Sequence, residues 1–297
     1  MERISFRQEI QRNKIKSFFL LLSIFLIFLA VGYLVSYAVN PALFFVIMAF
    51  SSIFSIGYIF IGFYNSDKLA IFSARAVPAG TEHRQFINSV ESMSLAAGLP
   101  KPKCYVMQSD QINAFAAGRD PKNAVICVTT GALRKLNKQE LEGVIAHEMG
   151  HIANYDIRFI TIASVVVGLI SVIAEIFLRS LWFSNNNDNK NNNVLIIIAA
   201  ILVAILAPLI ANLISLAISR KREFAADATA VKLTRYSPGL RSALQKIKLD
   251  HFPEQDKKRY AKAMAPMFIS DPFKKKFMNL FSTHPDIDQR ISALEKM

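Results

Sequence analysis

Cysteine is almost missing: Cys104 and Cys127 are the only two in 297 residues, 23 positions apart, with no second cysteine or histidine beside either. That excludes a disulfide framework and a cysteine-based zinc knuckle, and free thiols are expected. Charge is missing over a longer stretch. From Ser17 to Ser66 there is no Asp, Glu, Lys or Arg, about twice the ~20 apolar residues that cross a ~30 Å hydrocarbon layer as helix. The run is too long for a cleavable secretion signal and is expected to stay as an anchor. There is no internal repeat. The net charge of +13 is not accompanied by any nucleic-acid recognition motif, so no nucleic-acid partner is expected.

What is present is apolar and clustered: 53% of the residues are hydrophobic and 19% charged. Asn40-Pro41 divides the first block, because proline opens a helix far more easily than it sits inside one. Two spans are predicted, about 17–39 and 41–64. A third apolar run, Phe159 to Leu178, lies between Arg158 and Arg179 and holds one charge, Glu175. A fourth, Val194 to Ser219, is charge-free and contains Pro208, which a membrane helix tolerates when neighbours satisfy the freed carbonyl. A buried soluble hairpin is the alternative for these two, but their length and purity favour the membrane. Between them "NNNDNKNNN", Asn185 to Asn193, is too biased to pack and reads as a loop.

Lysine and arginine fix an expected orientation. Segments 1–16, 67–158 and 220–297 carry five, eleven and seventeen of the 35, whereas the opposite face has only Arg179 and Lys190. The positive-inside tendency therefore puts both termini and the intervening domain in the cytoplasm. Contact with anionic headgroups, as by Arg220-Lys221-Arg222, accounts for the net charge. The predicted organisation is an N-terminal hairpin at 1–66, one catalytic half at 67–158, a second hairpin at 159–219 with its outer loop at 180–193, and a second catalytic half at 220–297.

The middle segment has an α+β pattern. "EHRQFINSVESMSLAAGL" spaces its apolar residues at three and four and predicts a helix ending at Gly98. "KCYVMQS", "INAFAAG" and "NAVICVTTG" read as three short strands of a small antiparallel sheet, with a Gly-Arg-Asp-Pro turn before the last. Asn137 followed by Glu140 is a capping-box pattern, and "QELEGVIAHEMGHIAN" continues from it as helix.

On that helix His147 and His151 are one turn apart and share a face, so both imidazoles can bind one ion. Glu148, offset by about 100°, can stand beside the metal and take a proton from an activated water. Gly150 inside the helix allows another element to come close. Two histidines leave a catalytic zinc site one ligand short. In "SRKREFAADATA", Glu223 and Asp227 are again four apart; Glu223 can ligate while Asp227 fixes the tautomer of a liganding imidazole. Spacing alone fits an ordinary exposed helix face equally well. Topology favours the site: the His147 helix leads into the third span and the Glu223 helix leads out of the fourth, so a membrane hairpin brings their ends together.

"HEMGH", a hydrophobic hairpin, "SRKREFAAD" and a late "THPDIDQRI" resemble the HtpX family of membrane zinc metalloproteases, over most of the chain and most strongly from Ile112 to Asp227. The resemblance implies an α+β membrane protein, mostly helical, with four transmembrane helices and a cytoplasmic zincin-like (gluzincin) domain containing a small sheet. It implies one Zn2+ per chain held by His147, His151 and Glu223, with Glu148 as general base and Asp227 in support. Asn113, Ala114 and Phe115 then begin the edge strand that holds an extended substrate. His284 either donates a hydrogen bond to the developing oxyanion or packs the C-terminal helix. Arg220 either steadies Glu223, binds substrate or anchors to the membrane. The implied activity is cleavage of misfolded or damaged membrane proteins at the cytoplasmic face of a bacterial inner membrane, in protein quality control and stress response. Two rivals stand beside it. A prenyl-protein-type peptidase resembles a larger helical chamber than four spans can enclose, and a silent zinc-binding scaffold has no use for Glu148.

Overall fold

The computed structural model describes residues 6–39, 41–164, 220–250, 267–269 and 287–297. Most of the third predicted span, all of the fourth, the Asn-rich loop and His284 lie outside them.

The charge-free N-terminal block forms two long helices, α1 (Phe6–Val39) and α2 (Phe44–Tyr64), joined by a short 3-10 turn, Pro41–Leu43. Both are long and apolar enough to cross a membrane, in the places that charge and Asn40-Pro41 predict. They pack on each other, with Phe28 edge-on to Phe54 at 5.4 Å. The outward face of α2 stays apolar: Phe45 is 83% exposed and Ile53 72%, a surface suited to lipid rather than water. At the end of α2 the Arg158 guanidinium lies over Phe63, and Arg119 over Tyr64. Helical hydrogen bonding runs on through Asn65, whose N–H donates to the Ile61 carbonyl at 2.9 Å, into α3 (Ser66–Ala74).

The next helix, α4 (Arg84–Ala97), buries Phe86, Val90 and Met93 on one stripe. It stops at Gly98, whose φ of 65° allows the left-handed turn that closes the last carbonyls. Four strands make one sheet: β1 (Val77–Pro78), β2 (Lys103–Met107), β3 (Ala114–Gly118) and β4 (Ala124–Thr129), in the order β1-β2-β4-β3. The expected all-antiparallel sheet is corrected here. β3 and β4 are antiparallel across the Asp120 turn, but β2 and β4 are parallel. The link from β2 to β3 crosses the end of β4 instead of turning back beside β2. Gly131 makes that crossing possible, because a Cβ there would lie 2.2 Å from the Asp110 carbonyl oxygen. Thr129 ties the crossing down by donating to the Gln111 carbonyl at 2.6 Å.

Alternation along the strands divides the core in two. Val106, Ala114, Ala116, Ile126 and Val128 face α4 and α6 (Lys138–Ala153). Met107, Phe115, Val125 and Cys127 face α3, Ile160 and Phe268. Each fully buried Phe or Ile side chain contributes about 1.5–3 kcal/mol. Between β4 and α6 runs a short helix, α5 (Thr130–Lys135). Against α6 lie α7 (Arg220–Thr234) and α8 (Ser237–Leu249), and the short α9 (Ile287–Leu294) packs on α8. The core thus fixes α6 on both sides.

Candidate metal centre

The site begins with the start of α6. Asn137 Oδ1 accepts from the Glu140 N–H at 2.9 Å, and Glu140 returns the bond to the Asn137 N–H at 2.8 Å. This capping box sets where the helix starts and so which residues face inward ten positions later. His147, Glu148 and His151 are all buried. At Gly150 a Cβ would stand 3.1 Å from Ala226 Cα, so the missing side chain lets α7 lie against α6 and carry Glu223 and Asp227 into reach.

The two stretches of chain that border residues 165–219 also meet. Arg222 lies with its guanidinium over the Phe159 ring at 5.2 Å, one residue group at the start of the third apolar run and one just past the fourth. The expected closeness of these ends holds for the described residues.

The ligand-type atoms converge. His147 Nε2 and His151 Nε2 are 3.2 Å apart, and Glu223 oxygens lie 3.5 and 3.6 Å from them. A tetrahedral zinc with ligands at ~2.0–2.1 Å requires ligand atoms about 3.3–3.4 Å apart. Two bare imidazole nitrogens at that distance gain nothing from each other unless a cation or proton lies between. Glu223 Oε2 is buried, with Arg290 Nη1 at 3.2 Å and His147 Nε2 at 3.5 Å as its charged neighbours. Two nitrogens and one carboxylate oxygen are the donor set of a catalytic zinc site with an open fourth position, so the residues fit the metal.

Behind these atoms stands a second layer. Asp227 Oδ1 lies 2.9 Å from His147 Nδ1, and Asp156 Oδ2 lies 3.1 Å from His151 Nδ1. Each carboxylate accepts the Nδ1 proton and leaves Nε2 free to ligate. Arg290 grips Asp227 with two parallel bonds, Nε at 2.8 Å and Nη2 at 2.6 Å, while its Nη1 is 3.2 Å from Glu223. Such a forked pair is among the strongest side-chain contacts.

These contacts decide the charges. Burial and Arg290 push the His147 pKa down, but the Asp227 and Glu223 carboxylates outweigh them and raise it to about 9. Burial opposes charge on Glu223, yet His147, Arg290 and His151 hold its carboxyl well below the usual range. Asp227 is likewise held down, with burial overcome by Arg290 and His147. Glu148 goes the other way: burial raises its pKa against the pull of both imidazoles, which makes it a stronger base.

The remaining expected residues separate. Asn113, Ala114 and Phe115 are buried, and β3 is an outer strand of the sheet. Phe115 turns its ring into the core against Phe268 at 5.6 Å, and Ala116 lines the cavity over the two histidines. Ile269 N–H donates to the Ala114 carbonyl at 3.0 Å, so a strip of chain already pairs with this edge. Arg220 opens α7 and is exposed; the guanidinium beside Glu223 belongs to Arg290. Sequence reasoning missed Arg290 and Asp156. Arg290 left one signal: it falls on the same helical face as Ile287, Ile291 and Leu294, where an arginine needs a buried partner.

A model described as Peptidase family M48 matches residues 81–297. A Protease HtpX homolog of Dictyoglomus thermophilum is 41% identical over 298 residues, covering 100% of this chain and 96% of that one. A second, of Caldanaerobacter subterraneus subsp. tengcongensis, is 43% identical over 296 residues and covers 97% of both. Among solved structures, the crystal structure of S. mikatae Ste24p is similar at a TM-score of 0.50 and 22% identity, over 95% of this chain and 65% of that one. That last likeness concerns the fold alone.

Proposed function

The chain belongs to peptidase family M48 as an HtpX-type membrane metalloprotease, and from that membership we propose a zinc endopeptidase that cuts membrane proteins, damaged or misfolded ones above all, at the cytoplasmic face of a bacterial plasma membrane. One observation carries the chemistry: two buried imidazole nitrogens 3.2 Å apart, each with a Glu223 carboxylate oxygen within 3.6 Å, beside a buried glutamate of raised pKa. In this reading His147, His151 and Glu223 hold one Zn2+.

Bound zinc supplies Lewis-acid polarisation of the scissile carbonyl and lowers the pKa of a water toward about 7. Glu148 would be the residue that accepts a proton from the attacking water and passes it to the departing amide nitrogen. Asp227 and Asp156 keep His147 and His151 in the ligating tautomer. Arg290 holds Asp227 and Glu223 in place. The outer edge of β3 beyond Ala114, whose carbonyl already accepts from the Ile269 N–H, is proposed to pair with an extended substrate backbone, which tolerates varied side chains. His284 is proposed either to donate a hydrogen bond to the developing oxyanion or to pack the C-terminal helix.

The proposed topology is four spans in two hairpins, with the boundaries at residues 66, 158 and 219 and both termini in the cytoplasm. Two apolar helices, Arg119 and Arg158 at the foot of α2, and the distribution of basic residues support it.

Zinc content and chelation test the core of this reading. The purified chain in detergent is expected to carry about one zinc, to cut an unfolded protein such as casein, to stop on chelation and to recover when zinc returns. Activity indifferent to a strong chelator would sink it. For the topology, single cysteines placed in 185–193 should react with an impermeant thiol reagent from outside the cell, and cysteines placed in 67–80 should not.

A further inference from the structure

The turn that ends α6 is strained and held from outside. Tyr155 adopts a φ of 59°, unusual for a residue with a bulky side chain, and the turn it makes places Asp156 opposite His151. A backbone in that region persists only when its surroundings hold it there. What holds it is the N-terminal membrane helix. Asn13 of α1, 6% exposed, donates from its side-chain amide to Asp156 Oδ1 at 2.8 Å and to the Asn154 carbonyl at 3.1 Å. Next to it, Lys14 Nζ lies over the Tyr155 ring, 4.8 Å from its centre. One turn of α1 therefore touches all three residues of the turn.

Nothing about membrane anchoring calls for this contact. A polar side chain at the foot of an apolar helix is usually solvated, yet Asn13 is buried against a carboxylate that itself faces a proposed zinc ligand. Asp156 has two oxygens with distinct tasks: Oδ2 accepts from His151 Nδ1 at 3.1 Å, while Oδ1 accepts from Asn13. The amide fixes the rotation of the carboxylate, and the carboxylate fixes the ring.

We propose that α1 is part of the metal centre's frame, with Asn13 and Asp156 as positioning residues that orient His151. The inference rests on the zinc-site reading above. Its consequence is that metal affinity depends on how the first membrane helix is docked: loosening α1 frees Asp156 to rotate, and His151 then loses its preferred tautomer. Orienting partners of metal-bound histidines typically matter by 10–100-fold in affinity.

The test uses the full chain in detergent, in a Glu148→Gln background so that it cannot digest itself, with Co2+ as a spectroscopic probe. Affinity is measured by chelator competition and ligand geometry by the visible d–d bands. Asp156→Ala is expected to weaken Co2+ binding by about 10–100-fold, and Asn13→Ala by roughly tenfold with a shifted d–d spectrum. The double variant should bind no more weakly than Asp156→Ala alone, because Asn13 acts through Asp156. Val90→Ala, at a buried position of α4, controls for packing: it should lower the thermal midpoint and leave affinity and spectrum unchanged.

Affinity unchanged in Asn13→Ala, or lowered equally by Val90→Ala, would overturn the inference while the zinc site stood. Additive losses in the double variant would also overturn it. A parent that binds no Co2+ would remove the metal site and this inference together.

Discussion

The two ends of α6 each bury a polar cluster, and they are built differently. At the first turn Glu140 has an answer for every bond it offers: the Asn137 N–H at 2.8 Å, Ser242 Oγ at 2.7 Å and Lys246 Nζ at 2.7 Å. Its partners come from its own turn and from α8, and Lys246 reaches out to solvent. At the last turns Glu148, Glu223, Asp227 and Asp156 are all buried, and the buried Arg290 guanidinium reaches Glu223 and Asp227 from α9. Partners there come from α1, α7 and α9. The first cluster is a balanced joint. The second sets four buried carboxyl groups against Arg290 and a His147 imidazole of raised pKa, a surplus of acidic groups that a divalent cation would neutralise.

The sharpest way to break this comparison is to neutralise one glutamate at each end. Glu148→Gln is expected to lower cleavage of an unfolded protein by about 10²–10⁴-fold with zinc content unchanged, whereas Glu140→Gln should retain activity close to that of the wild type. Equal losses in kcat would mean that Glu148 acts through the fold, like Glu140, and not on substrate.

Next in size is the pair of cations. Arg290→Ala strands Asp227 and Glu223 in the interior, a change expected to cost roughly 3–5 kcal/mol in unfolding of the metal-free protein by denaturant. Lys246→Ala at the other end should cost no more than about 1 kcal/mol, because the Lys246 side chain is 41% exposed. Similar costs at both ends would erase the distinction between them.

Two glycines separate the ends more finely. A Cβ on Gly143 would meet the Leu240 backbone N at 2.6 Å, while one on Gly150 would meet Ala226 Cα at 3.1 Å. Gly143→Ala should therefore destabilise by about 1–3 kcal/mol by pushing α8 away, with zinc affinity retained. Gly150→Ala is expected to cost less stability but to weaken zinc binding, since α7 carries Glu223. Calorimetry on both, with and without zinc, checks the reversal.

How much of this was legible in the sequence follows from distance along the chain. The charge-free block, the Asn137–Glu140 cap, the Gly98 stop and the histidine pair are patterns within a few residues, and each is where the spacing put it. Glu223 was reachable because the two apolar runs between it and His151 were expected to form a hairpin, which would bring its two ends together. The parallel pairing of β2 with β4 was not legible, since strand composition is silent about which neighbour a strand takes. Arg290 and Asn13 were missed for a related reason: they stand 143 residues from His147 and Asp156 respectively, and no period links such pairs. Arg220 shows the converse, because proximity in sequence to Glu223 suggested a partnership that the exposed helix start does not make.

The smallest expected effect concerns pH at the balanced end. Burial raises the Glu140 pKa, but hydrogen bonds from Lys246, Ser242 and the Asn137 N–H outweigh it and leave it below its usual value. A carboxyl held lower in the folded than in the unfolded chain contributes stability above about pH 4.5, and that contribution fades as pH falls through the folded value. Glu140→Gln cannot ionise, so the wild-type advantage over it, on the order of 1 kcal/mol at neutral pH, should shrink as the solution is acidified below about pH 4.5. Thermal midpoints of both proteins without metal, taken from pH 7 down to pH 3.5, measure the difference. An advantage that stayed constant across this range would show that the Glu140 cluster works through shape and neutral hydrogen bonds, and the contrast between the ends of α6 would then lie in burial alone.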